Sequence, residues 1–110
     1  MLKTHDAVAL KAKLFRGLAD TSRLRVMEAL RGGPRRVSQV VEATGLSQPN
    51  VSAHLACLYE CGLVDRRREG RAVFYWVADE RVERLLEDAD RLLVRVGDAV
   101  YVCTRYEEAG

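Results

Sequence analysis

One hundred and ten residues, 48% of them hydrophobic and 31% charged, with 2 prolines and a formal net charge of +2, suit one modest folded core and exclude a disordered tail. No apolar run approaches the ~20 residues needed to cross a bilayer, which excludes a membrane span. The start, MLKTHDAVALKAKLF, lacks the basic segment, apolar stretch and small-residue cleavage site of a secretory signal, so a cytoplasmic protein with reduced thiols is expected.

Val8, Ala12, Phe15 and Leu18 recur at helical spacing, and Ala7, Leu10 and Leu14 add a second apolar row. A helix apolar on two sides must be covered on two sides, and in so short a chain a partner subunit is the expected second cover. DTSRLRVMEALRGG predicts a second helix, with Asp20 or Thr21 as N-cap, Leu24, Met27 and Leu30 facing inward and Gly32-Gly33 as its stop. A short third helix is predicted in SQVVEATG, capped by Ser38, with Glu42 near its first turn and Gly45 just past its end. LSQPNVSAHLACLYECG then starts from Ser47 as cap, carries Pro49 in its first turn, where a missing N–H costs nothing, and ends at Gly62. Two short helices joined by a tight turn containing glycine make a helix-turn-helix.

After Gly62 the apolar period changes to two. LVDRRR and AVFYWV, joined by EGR, predict a hairpin with a basic tip, a candidate wing. From Asp79, a good N-cap, Val82, Leu85, Leu86, Ala89, Leu92, Leu93 and Val96 return to helical spacing on one stripe, which Gly97 is expected to end. The expected organisation is a single domain over 1–110, with its core at about 6–97 and a C-terminal tail at 98–110.

The segments RGGPRR (31–36) and RRREGR (66–71) hold seven of the eighteen Lys and Arg residues, and they flank the predicted fourth helix. With Val51, Leu55 and Leu58 turned inward, that helix presents Pro49, Ser52, Ala53 and Ala56 outward, with Ser47 and Gln48 at its N-terminal edge. Small and amide side chains let a helix enter a major groove, where Gln can pair with adenine and Ser can reach a base or phosphate. Arg66, Arg67, Arg68 and Arg71 on the hairpin would meet phosphates or a minor groove and make binding salt-dependent. No nucleophile, base and orienter set and no phosphate-binding glycine loop is present, so an enzyme is not expected.

In this order, LADTSRLRVMEAL, LSQPNVSAHLACL and GLVDRRREGRAVFYWV resemble the ArsR/SmtB family of winged-helix repressors, over roughly residues 10–97. The resemblance implies a mainly α fold with a small β-hairpin, a winged helix-turn-helix that dimerises through its first and last helices. It also implies a homodimeric repressor whose Gln48, Ser52 and neighbours touch double-stranded operator DNA. Thr21 stands where the family commonly has Pro, which should alter only the start of the second helix.

Three cysteines form no closed disulfide set. Cys57 and Cys61, at i and i+4, point the same way with Cβ atoms about 5–6 Å apart, and His54 shares their row. Three readings are open. The thiols can simply pack as small hydrophobes in a DNA-binding module that needs no inducer. They can form a dithiol switch for oxidants or reactive sulfur, although a direct i, i+4 disulfide would distort a helix. Or they can hold a soft metal: three thiolates without an evident fourth ligand suit Cd(II) or Pb(II), and Zn(II) becomes possible if His54 joins as an accessory ligand. His5 reads as a surface residue. The usual family sites, cysteines on the third helix or Asp/His on the last, are missing here. What remains resembles the cadmium/lead-sensing branch, which implies Cys57, Cys61 and Cys103 as metal ligands, with Cys103 given by the other subunit.

Overall fold

The computed structural model describes residues 6–105. α1 (Ala7–Leu18) and α2 (Thr21–Leu30) are followed by β1 (Arg35–Arg36), α3 (Val37–Thr44), α4 (Gln48–Glu60), β2 (Val64–Glu69), β3 (Ala72–Val77) and α5 (Glu80–Val102). The expected order of helix, helix, helix-turn-helix, wing and helix is thus observed, mainly helical with one small antiparallel sheet. Among the described residues no helix is long and apolar enough to cross a membrane.

Local chemistry accounts for most boundaries. Asp6 and Asp20 accept from backbone N–H groups of the first turns of α1 and α2 at 2.9–3.1 Å, so Asp20 rather than Thr21 is the cap. Thr21 is instead the first helical residue. Ser38 is not a cap either, because α3 begins one residue before it. The reason is β1: Arg35 and Arg36 pair with Tyr75 and Phe74, which holds the chain extended as far as Arg36. The Gln39 side chain then accepts from the Arg36 N–H at 2.9 Å. A two-residue strand leaves no periodic trace in a sequence, and it adds a third strand, in the order β1-β3-β2, to the predicted hairpin.

The α3–α4 turn closes as predicted. Gly45 adopts φ 73°, where its N–H reaches the Val41 carbonyl at 2.9 Å, and Ser47 Oγ accepts from the Asn50 N–H at 3.3 Å. The wing turns on two residues, Gly70 and Arg71, between the paired Glu69 and Ala72. Gly70 takes the positive φ (64°) that the first position of a type II′ turn requires. α5, however, does not stop at Gly97 but continues to Val102, with Cys103 as C-cap. An interior glycine weakens a helix by only about 0.5–1 kcal/mol.

The core gathers Val26, Met27 and Leu30 of α2, Val40 of α3, Val51, Leu55 and Leu58 of α4, Val64, Tyr75 and Leu86. Each buried leucine contributes about 1.5–3 kcal/mol, so the inward row of α4 is held against three neighbouring elements. α1 enters this core only through Leu18 at its end, and the distal half of α5 stands outside it. Val8 is 74% exposed, Phe15 49%, Leu92 59% and Leu93 49%. One polar tether crosses from α2 to the projecting helix: Arg31 donates to Glu28 at 2.9 Å and to Asp90 at 2.8 Å.

Candidate functional site

Three core residues on one face of α4 leave the opposite face to solvent. Ser47, Gln48, Pro49, Ser52 and Ala53 are all exposed, and Ala56 is half-buried. The first turn of α4 contains no acidic side chain, so its free N–H groups and positive dipole end are open to a phosphate.

The hairpin separates the four arginines by strand alternation. Arg66 and Arg68 share the face of Val64, which packs toward α4, whereas Arg67 lies on the other face. Arg66 is engaged: its guanidinium carbon stands 4.0 Å over the centre of the Tyr59 ring, and contact with the Tyr75 and Tyr59 hydroxyls favours its charged form. Arg67 is ion-paired with Glu69 and borders a hollow with Trp76 and Glu83. Arg68 and Arg71 have no side-chain partner among the described residues and are fully available to an anion. Arg35 and Arg36, also exposed, extend this basic surface along β1. Tyr59 was not a sequence candidate, because nothing in the spacing reveals that the last turn of α4 faces the root of the wing.

The thiols sit at the far end of α4. Cys57 is half-buried in its last turn, and Cys61 is exposed as its C-cap, with its N–H bonded to the Cys57 carbonyl at 3.0 Å. Both border one hollow of about 740 Å³ between α1 and the end of α4, whose other walls include Leu10, Leu14 and Arg23. Partial burial pushes the Cys61 thiol up, the neighbouring Cys57 adds to this, and the Arg23 cation opposes it. Cys103, half-buried, lies at the end of α5 and does not border the hollow. His54 does not border it either, despite sharing the row. The Asp20 carboxyl at the start of α2 is held down first by the hydrogen bond from the Arg23 backbone N–H. His5 lies outside the described residues.

Among the described residues no group of three or more His, Cys, Asp or Glu is placed to hold a metal. Two adjacent thiols in an apolar hollow fit a soft ion in kind. They are one donor short of three in number, and a single copy of the chain does not bring the third to them.

Comparison with known proteins places these features in context. A model of the arsR family of bacterial regulatory proteins matches residues 20–66. A probable mercury resistance operon repressor from Streptomyces lividans is 41% identical over 99 residues, covering 90% of this chain and 79% of that protein. The transcriptional regulator CmtR of Mycobacterium tuberculosis is 41% identical over 85 residues, covering 77% of this chain and 72% of the relative. The solution structure of a homodimeric winged helix-turn-helix domain, Mb0332 from Mycobacterium bovis, superposes with a TM-score of 0.69 at 33% identity, covering 84% of this chain and 89% of that one.

Proposed function

The chain belongs to the ArsR family, whose members are DNA-binding transcriptional regulators and not enzymes, and from that premise we propose a homodimeric, cytoplasmic repressor that releases its operator on binding Cd(II) or Pb(II). Its ligands are Cys57 and Cys61 of one subunit and Cys103 of the partner subunit. The observation that carries this reading is the pair of thiols, side by side in one hollow, at the end of the helix whose other end presents the exposed Gln48 and Ser52. The exposed apolar residues of α1 and α5 support the dimer, since a monomer would leave both helices half-covered. Zn(II) would require a fourth donor.

A soft divalent ion, when bound, supplies a bridge between thiolates. The chain's own residues do the rest. Gln48 and Ser52 read bases, Ser47, Pro49 and Ala53 line the approach, and Arg68 and Arg71 hold phosphates. Arg66 keeps the wing against α4, and Arg67 adds charge from the hairpin's other face. Cys57 and Cys61 of one subunit with Cys103 of the partner subunit would hold the ion, and that tie would set α4 at an angle to the dimer axis that fits the operator poorly. A 100-fold loss of DNA affinity needs about 2.7 kcal/mol of coupling, and DNA must weaken metal binding by the same factor.

The test is a binding isotherm on a duplex from the chain's own promoter, with and without one equivalent of Cd(II), beside an absorption titration of the reduced protein. A thiolate-to-metal band that saturates at one ion per subunit, disappears in Cys57→Ser and accompanies DNA release supports the reading. Release by peroxide or polysulfide with no such band would transfer the function to a dithiol switch. Unchanged DNA binding after replacement of all three cysteines, with no response to metal, would leave a module without an inducer.

A further inference from the structure

α5 is a rod of 23 residues, and the body of the chain holds only its start. Val82 and Leu85 pack against the core, and Leu86 is buried in it. From there the helix projects to Val102, about 24 Å at 1.5 Å per residue. One apolar pivot leaves the direction of a rod free, and a second fixed point sets it.

Arg31 supplies that second point. Its Nη1 donates to Glu28 Oε1 at 2.9 Å, within the end of α2, and to Asp90 Oδ2 at 2.8 Å, across to α5. Among the described residues, Arg31–Asp90 is the only ion pair that joins two elements. The others lie within α2 and its cap, within β2, or within α5 and its cap. Arg31 belongs to the basic run RGGPRR, yet two carboxylates engage it, so it is not left for phosphate. With side chains 24% and 59% exposed, the Arg31–Asp90 pair adds little to stability. Its leverage is larger. Asp90 lies about 6 Å beyond Leu86 along the helix, so 1 Å of slack there tilts α5 by about 10° and moves Val102 by about 4 Å.

We propose that Arg31 and Asp90 are positioning residues that set the angle of the DNA-reading unit on the dimer helix, and through it the half-site spacing that the dimer accepts. The proposal rests on the α5 dimer of the reading above and not on its metal. Half-sites read by one dimer lie about 34–36 Å apart, and one base pair changes that by about 3.4 Å. Slack at Asp90 is therefore on the scale of a whole base pair.

Affinity of the full-length dimer is measured on the promoter duplex and on two derivatives with one base pair added or removed at its centre. Arg31→Met is expected to bind the promoter duplex about fivefold more weakly, equivalent to about 1 kcal/mol, and its preference for that duplex over the derivatives to fall by a similar factor. Asp90→Asn is expected to do the same, and the double variant to be no worse than either. Asp90 separates the tether from net charge: removing a carboxylate relieves repulsion from phosphates, so charge alone would make Asp90→Asn bind more tightly. Glu28→Gln keeps the contact across to α5 and is expected to stay within about twofold of the unmodified chain. Asp90→Asn binding as tightly as the unmodified chain, or a loss by one factor on all three duplexes, overturns the proposal. So does a monomer in sedimentation of either single variant, which would place the pair in assembly and not in its angle. If Leu93→Glu leaves the dimer intact, the α5 interface itself fails and the tether falls with it. A dimer broken by Leu93→Glu, with unaltered duplex preference in Asp90→Asn, overturns the tether alone.

Discussion

Replacing Arg66 with alanine removes a guanidinium that stands 4.0 Å above the Tyr59 ring and bridges the root of the wing to the last turn of α4. An exposed cation–π contact of this kind contributes about 0.5–1 kcal/mol. If stacking is what Arg66 does, DNA affinity of the dimer should fall about five- to thirtyfold, because the wing of each subunit loses its fixed angle to the recognition helix. The salt dependence should hold, since no phosphate contact is lost. Arg68→Ala and Arg71→Ala, whose side chains have no partner among the described residues, should each reduce the logarithmic salt slope by about two, one phosphate contact per subunit of the dimer. Tyr59→Leu should reproduce the Arg66→Ala loss, and the double variant should be no worse than either single one. Fluorescence anisotropy on a labelled operator over a salt series measures all of these. A slope lowered by about two in Arg66→Ala, with Tyr59→Leu unaffected, would show that Arg66 reaches a phosphate in each subunit and refute the assignment.

Leu55→Ala should lose about 2–5 kcal/mol, because the side chain is wholly buried in the centre of the core, and lower the melting temperature by roughly 10–30 °C in calorimetry. Leu93→Glu places a charge on the exposed apolar face of α5, and sedimentation should show a monomer with weakened operator binding; a stable dimer would remove α5 from the interface. The Asp79 carboxyl is held down at about 2, first by hydrogen bonds from the Arg81 side chain and then by the Arg81 N–H. Its folded value lies below the unfolded 3.8, so its contribution is full above about pH 4 and lost as pH falls through about 2. Thermal melts of Asp79→Asn should lack that acid-range dependence.

The architecture was legible because it rests on local signals. The caps Asp20, Ser47 and Asp79 use their own side chains, and the inward row Val51, Leu55 and Leu58 follows from spacing alone. What escaped depended on distant partners. β1 exists because Arg35 and Arg36 find β3, about forty residues away in the sequence, and that pairing moves the start of α3 ahead of Ser38. Gly97 reads as a stop, yet the glycine cost is small beside the cooperative gain of continuing a long helix. At the thiol site the pair Cys57 and Cys61 was visible as i, i+4, but Arg23, some thirty-five positions earlier, joins them only through the packing of α2 against α4.

The placement of the thiols also sets what kind of signal can reach DNA. α4 spans thirteen residues, so its cysteine end and its base-reading end are about 20 Å apart at 1.5 Å per residue. A helix of that length buried along one side behaves as a rod, and a tilt of about 5° imposed at Cys61 displaces Gln48 by about 1.7 Å. Side-chain hydrogen bonds to base edges tolerate only a few tenths of an ångström around 2.9 Å, so a displacement of this size disrupts them without unfolding anything. Arg66 on Tyr59 carries the wing along with the same end of the helix. A ligand bound near the N-terminus of α4 would compete directly with DNA; bound at the C-terminus it needs no shared surface, only leverage, and in the metal reading proposed above a third thiol from the partner subunit would give the lever a fixed point.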